Sequence, residues 1–134
     1  MKKVLLVFSL MFITVLTVYA ALNNYSCAHC GKIIKAADNP ASTSCPIGGS
    51  HSSSYIGEVG NFWYDCGHCG KAILTEHNPG STACKVGGSH SWHYIGEKGE
   101  NTYICGHCNL DVTGDSGPAS TPCTVGGSHS WQQQ

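Results

Sequence analysis

The chain has 134 residues, among them nine cysteines, eight histidines and seventeen glycines. Seven lysines stand against eight acidic residues, arginine is absent, and the formal net charge is -1. This balance gives no basic surface to neutralise phosphates, so the composition argues against nucleic acid as a partner.

The N-terminal segment has the residue pattern of an export signal. Two lysines precede an apolar run from Val4 to Ala21, and Val18-Tyr19-Ala20 has the small residues that favour cleavage after Ala20. We predict a signal peptide over residues 1–20. An uncleaved membrane anchor over residues 4–21 is the alternative, because the run approaches the length that spans a bilayer. Both readings place the rest of the chain in a secreted, periplasmic or cell-surface location, with membrane contact only through an uncleaved anchor.

One pattern then occurs three times with a period of 39 residues. In the middle copy, Tyr64 precedes the pair Cys66 and Cys69, and a third cysteine, Cys84, is followed by two glycines and His90. Three thiols and one imidazole at this spacing are typical of a four-ligand metal site. The predicted ligands are Cys27, Cys30, Cys45 and His51; Cys66, Cys69, Cys84 and His90; Cys105, Cys108, Cys123 and His129.

Zinc is the metal that this ligand set favours, with three ions per chain. Zinc accepts a closed tetrahedral site of three sulfurs and one nitrogen, whereas calcium and magnesium prefer oxygen ligands. Disulfides are the alternative, because an oxidising compartment favours them. Three cysteines in each copy would leave one thiol unpaired in every copy, which counts against bridges within a copy.

The repeats predict a small, metal-stabilised, all-β fold. The expected modules are residues 23–63, 64–102 and 103–134, each with three short strands. In the middle module, the β-prone residues 62–64 predict a first strand that leads into the Cys-x-x-Cys turn. Residues 71–74 are expected to form its partner strand, and residues 91–95 the third strand. The loops between them, such as Asn78-Pro79-Gly80, carry turn residues and no helix is expected there. A unit this small cannot bury enough apolar surface to fold without a metal, disulfides or neighbours.

Two further groups of side chains recur. A histidine lies inside each Cys-x-x-Cys turn, at His29, His68 and His107, and we expect it to bond locally or lie exposed because zinc already has four ligands. The aromatic residues of the third strand either cover the metal site or form a recognition surface. These residues are Tyr55, Trp92, Tyr94 and Trp131.

Each repeat resembles the zinc-ribbon and rubredoxin-like group. The resemblance rests on the knuckle from Tyr25 to Gly31 and on the second, glycine-containing ligand loop from Cys45 to His51. It implies a ribbon of short strands that holds the metal between two loops. The second loop departs from the Cys-Pro-x-Cys-Gly pattern of the group, because His51 replaces the fourth cysteine, and this replacement favours zinc over iron.

For function, we expect a non-enzymatic array of structural zinc modules that binds a protein or a component of the cell envelope. Tandem copies favour binding because linked weak sites gain avidity. An extracellular zinc buffer or carrier is an alternative, and a rubredoxin-like redox protein is another. Hydrolytic zinc catalysis is disfavoured, since four protein ligands leave no open position for water or substrate.

Overall fold

The computed structural model describes residues 20–134, so the predicted signal or anchor segment lies outside the described residues, apart from its last positions. Within that part the chain forms nine strands and no helix. They are β1 (Asn23–Cys27), β2 (Ile33–Ala36), β3 (Ser53–Glu58), β4 (Phe62–Cys66), β5 (Ala72–Thr75), β6 (Trp92–Glu97), β7 (Asn101–Cys105), β8 (Asp111–Gly114) and β9 (Trp131–Gln133). Among residues 20–134, no helix is long and apolar enough to cross a membrane.

The strands form three separate antiparallel sheets of three strands, in the orders β2-β1-β3, β5-β4-β6 and β8-β7-β9. In each sheet the central strand is the one that runs into the first ligand cysteine, because it pairs with the returning hairpin strand on one side and the third strand on the other. The prediction of an all-β chain built from three small modules is confirmed. The expected borders at 63/64 and 102/103 fall within β4 and β7.

A β-bulge lengthens the third strand of the first two modules. Trp63 pairs with Gly96 while Tyr64 pairs with Tyr94, so Ile95 is the extra residue. Gly96 has a φ of 149°, which few residues other than glycine adopt. The strand therefore continues through Glu97, beyond the expected end at residue 95. In module 3, β9 stops at Gln133 without a bulge.

The bulge sends an isoleucine toward the next module. Ile95 is 1% exposed and forms one apolar cluster with Tyr103 and Val112, which belong to β7 and β8 of module 3. Trp63 and Trp131 pack against the edge of this cluster. The apolar core at this point is therefore shared between two modules.

Candidate metal centres

The first two ligands of each site lie in a tight turn at the end of the central strand. The Gly31 amide donates to the Cys27 carbonyl at 2.8 Å, and the Cys27 amide donates to the Lys32 carbonyl at 3.0 Å. The turn needs a left-handed residue after the second cysteine, and Gly31 and Gly70 supply it with φ near 69° and 68°. Module 3 places Asn109 there with φ 58°, a conformation that asparagine tolerates better than most residues.

The last two ligands come from a second loop that closes on itself. In module 2 the Cys84 amide donates to the Gly88 carbonyl at 2.9 Å, and the Gly87 amide donates back to the Cys84 carbonyl at 2.9 Å. Both glycines have positive φ, 98° and 67°, a conformation that glycine adopts without strain and that lets the chain turn from the cysteine to the histidine. The His90 amide then donates to the Thr82 carbonyl, which fixes the backbone of the fourth ligand.

The two loops bring all twelve predicted ligands together as three groups of four. Within each group the four donor atoms lie within 4.8 Å of one another. In each group one cysteine of the knuckle is half-buried and the other three residues are buried. The groups are Cys27, Cys30, Cys45 and His51; Cys66, Cys69, Cys84 and His90; Cys105, Cys108, Cys123 and His129.

The distances between donor atoms within these groups are those expected around a shared tetrahedral metal. His90 Nδ1 lies 3.3 Å from Cys66 Sγ and 3.7 Å from Cys69 Sγ, and the matching contacts of His51 and His129 with their knuckle cysteines are 3.6 Å. In a tetrahedral zinc site with Zn–S near 2.3 Å and Zn–N near 2.05 Å, the N···S edge is about 3.6 Å. The imidazole therefore offers Nδ1 to the site in every module, and the residues present fit the metal.

All nine cysteines are free thiols in this structure. The disulfide framework considered as an alternative is therefore not the arrangement that the fold adopts. The three thiols of a module converge on the histidine of the same module instead of pairing with one another or across modules.

The knuckle thiols differ in their proton affinity. Burial raises the pKa of Cys27, but hydrogen bonds from backbone amides of the knuckle and from the ligand histidine outweigh it, and the pKa falls to about 6. Cys105 has a pKa of about 6 for the same reasons. In Cys69 and Cys108 burial dominates and raises the pKa to about 12 and about 11. A metal that binds these groups must displace protons from the second thiol, so binding is coupled to pH.

The surroundings of the ligand imidazole of module 2, His90, favour its neutral form. Burial lowers the pKa of His90, and the nearby imidazole of His68 lowers it further. Neutral imidazole is the form that binds a metal.

The knuckle histidines lie outside the ligand groups. His68 and His107 are exposed, and their Nδ1 atoms lie 3.0 and 3.2 Å from the carbonyl oxygens of Ser89 and Ser128. Each therefore links the knuckle to the second ligand loop of its own module. His29 is exposed as well.

Two indole rings cover ligand histidines. Trp92 stacks on His90 with ring centroids 4.7 Å apart, and Trp131 stacks on His129 at 4.9 Å. Each indole N–H also donates to a carbonyl of the preceding loop, at 3.1 and 2.9 Å. Module 1 has Ser53 at this position and lacks the cover. The tryptophans thus belong to the metal site, whereas Tyr55 and Tyr94 remain 55% and 49% exposed.

Two polar residues that the sequence analysis did not single out contact ligand histidines from the neighbouring module. Asp65 Oδ2 lies 2.9 Å from His129 Nε2, and Ser26 Oγ lies 3.4 Å from His90 Nε2. Both residues directly precede the first cysteine of their own module. The sequence gives no clear signal for them, because each is adjacent to a buried cysteine and strand alternation would place it on the opposite face of the sheet.

No family profile, characterised protein or solved structure matches this chain. The assignment of the three sites as metal-binding modules rests on their donor sets and geometry. Four protein donors at tetrahedral separations form a closed site, which suits a metal that holds two loops together.

Proposed function

We propose that the three sites hold structural zinc ions and that the chain is an exported, non-enzymatic array that binds a protein or a component of the cell envelope. The observation that carries the zinc proposal is the spacing of the donors, since histidine nitrogen and cysteine sulfur stand 3.3 to 3.7 Å apart in all three modules. Three thiolates with one imidazole match a structural zinc site, and the fourth donor argues against the all-thiolate iron site of rubredoxin-like redox proteins.

The small size of the modules supports a structural role for the metal. Much of the buried interior of each module consists of the ligands themselves, so little apolar area is left to stabilise the fold. Zinc binding supplies about 10 to 16 kcal/mol in comparable small domains. An array that depends on its metal for folding is poorly suited to releasing it, which favours a structural role over a zinc buffer.

A repeated exposed residue supports the binding role. The second ligand loop of each module carries an aliphatic side chain at its tip, and these three side chains are between 58% and 66% exposed: Ile47, Val86 and Val125. An identical placement in every module presents three copies of one weak contact, and linked contacts bind with an avidity that one copy lacks.

Native mass spectrometry with elemental analysis tests the metal assignment. The protein, purified from its own host, should carry three zinc atoms and nine cysteines without disulfides. Iron in place of zinc would favour the redox alternative, and a mass lower by pairs of hydrogens would favour disulfides.

The binding role has a separate test. A triple variant, Ile47→Ser with Val86→Ser and Val125→Ser, should keep three zinc atoms, because these side chains point away from the sites into solvent. It should lose retention on the envelope fraction of the host, while single variants lose only part of it. Equal retention by the triple variant and the wild type would remove the support that these residues give.

A further inference from the structure

A buried carboxylate of module 2 contacts the metal-site histidine of module 3. Asp65 Oδ2 and His129 Nε2 are 2.9 Å apart, and both side chains are 1% exposed. The second carboxylate oxygen, Oδ1, accepts a hydrogen bond from Thr121 Oγ1 at 3.1 Å. Both oxygens are thus engaged by module 3, although Asp65 belongs to the central strand of module 2.

The chemistry of the ligand explains why a carboxylate is placed there. His129 turns Nδ1 toward its thiols, so when Nδ1 binds a metal the proton of the neutral imidazole is on Nε2. A carboxylate that accepts this proton in a hydrogen bond fixes the tautomer and the orientation of the ring, and it makes the other nitrogen a stronger donor.

The same position in module 1 holds a weaker partner. Ser26 lies 39 residues before Asp65 and faces His90, but its Oγ is 3.4 Å from Nε2, which is long for a hydrogen bond. Thr82, the counterpart of Thr121, has a buried hydroxyl without a partner. For His51, the described part of the chain provides no hydrogen bond to Nε2.

We infer that Asp65 is a positioning residue for the metal site of module 3, supplied across the module boundary by module 2. The three sites therefore differ although their ligands are identical: module 3 retains its metal longest, module 2 less long and module 1 least. The inference rests on the proposed zinc sites and adds a direction to the array, because modules 1 and 2 each place a residue against the ligand histidine of the module that follows, and only Asp65 makes a short contact there.

The test uses the full chain loaded with zinc and treated with a chelator. Backbone amide signals of Gly48, Gly87 and Gly126, one in each second ligand loop, report the three sites separately. Asp65→Asn, which keeps the shape and removes the charge, should weaken zinc binding in module 3 by about 10- to 100-fold and thereby speed zinc loss from it, because this is the usual effect of removing the hydrogen-bond partner of a metal ligand. The Nε2–H proton signal of His129 should also move upfield. Asp111→Asn is the matched control, because Asp111 is an exposed residue of module 3 and its loss changes the net charge equally.

A converse variant keeps the inference testable if Asp65→Asn folds poorly. Ser26→Asp places a carboxylate where Asp65 stands one repeat later, and it should slow zinc loss from module 2 while leaving module 3 unchanged. If the wild type takes up three zinc ions but Asp65→Asn behaves like Asp111→Asn, or if Ser26→Asp does not slow module 2, the role of Asp65 is wrong and the zinc proposal stands. A wild-type chain that takes up no zinc overturns both.

Discussion

The two module boundaries have the same backbone plan but different side chains. At each boundary a loop amide of the later module donates to the bulge isoleucine of the earlier one, from Gly80 to Ile56 and from Ala119 to Ile95, both at 2.7 Å. Between modules 2 and 3, the Trp63 indole also donates to Thr113 and Asp65 contacts His129.

Between modules 1 and 2 the equivalent polar groups are less well satisfied. Asn24 replaces Trp63 and its Nδ2 donates to Leu74 at 2.8 Å, but its buried Oδ1 has no partner among the described residues. The Thr82 hydroxyl is likewise unpaired. A buried polar atom without a partner costs about 1 to 3 kcal/mol. A repeated fold therefore fixes where neighbouring modules meet, while individual side chains decide how strongly they hold.

Removal of the metals should produce the largest effect and would show whether the boundaries can hold the array alone. Chelation under reducing conditions should unfold all three modules, because about 10 to 16 kcal/mol per zinc cannot be replaced by so small a core. Loss of amide dispersion in the two-dimensional NMR spectrum measures this unfolding. Module 1 is expected to unfold first. A dispersed spectrum that survives chelation would contradict a structural role for the metal.

The next largest effect distinguishes the ligand histidine, His90, from the knuckle histidine, His68. Both lie in module 2, which follows the less well satisfied boundary. His90→Ala in the full chain should weaken zinc binding in module 2 by orders of magnitude, since it opens a buried four-donor site. His68→Ala should leave three zinc ions bound, because His68 is exposed, lies outside the four-donor group and contacts the Ser89 carbonyl through Nδ1. Cobalt substitution reports tetrahedral geometry and thiolate number for both variants. The reverse pattern would show that the ligand set is wrong.

Two glycines, Gly60 and Gly99, test whether the backbones approach equally closely at the two boundaries. A Cβ at Gly60 would lie 2.3 Å from the Glu76 amide nitrogen, and one at Gly99 would lie 2.2 Å from that of Asp115. Gly60→Ala and Gly99→Ala should each lower the free energy of unfolding by about 1 to 3 kcal/mol through overpacking. Denaturant melts at saturating zinc measure this change.

The control for these variants is Gly117→Ala, where an added Cβ meets nothing within 4 Å and φ is not in the left-handed region. It should leave stability nearly unchanged. Equal losses from Gly60→Ala and Gly99→Ala would place the difference between the boundaries in their side chains. A loss confined to one of them would place it in the backbone.

Two threonine hydroxyls at matching positions separate the two boundaries most directly. Thr121→Val removes the hydroxyl that donates to Asp65 and should cost about 1.5 to 3 kcal/mol, the range for a hydrogen bond to a charged group. Thr82→Val removes an unpaired buried hydroxyl and should be neutral or stabilising. Zinc-saturated unfolding of the two variants measures the contrast. Equal losses would mean that the Asp65 network adds nothing to its boundary.

Much of each module could be predicted from residues within one repeat. The turn after Cys66 and the loop from Cys84 to His90 are local structures. Both require residues with positive φ, and the glycines in them indicate this in the sequence. The strand ends were less predictable. The β-prone residues predict a third strand that ends at Ile95, but the bulge beside Gly96 lets pairing continue to Glu97. A bulge depends on the register between two strands, which no single strand contains.

The sequence by itself determined the period, the twelve candidate ligands and the all-β architecture, because each follows from donor spacing and turn residues inside one copy. Only the tertiary structure decided which imidazole nitrogen faces the thiols, and it alone placed Ile95 in a core with Tyr103 and Val112. It also paired Asp65 with His129, 64 residues away. The physical reason is that contacts between copies depend on how one module packs against the next, and a repeat in the sequence does not specify that placement.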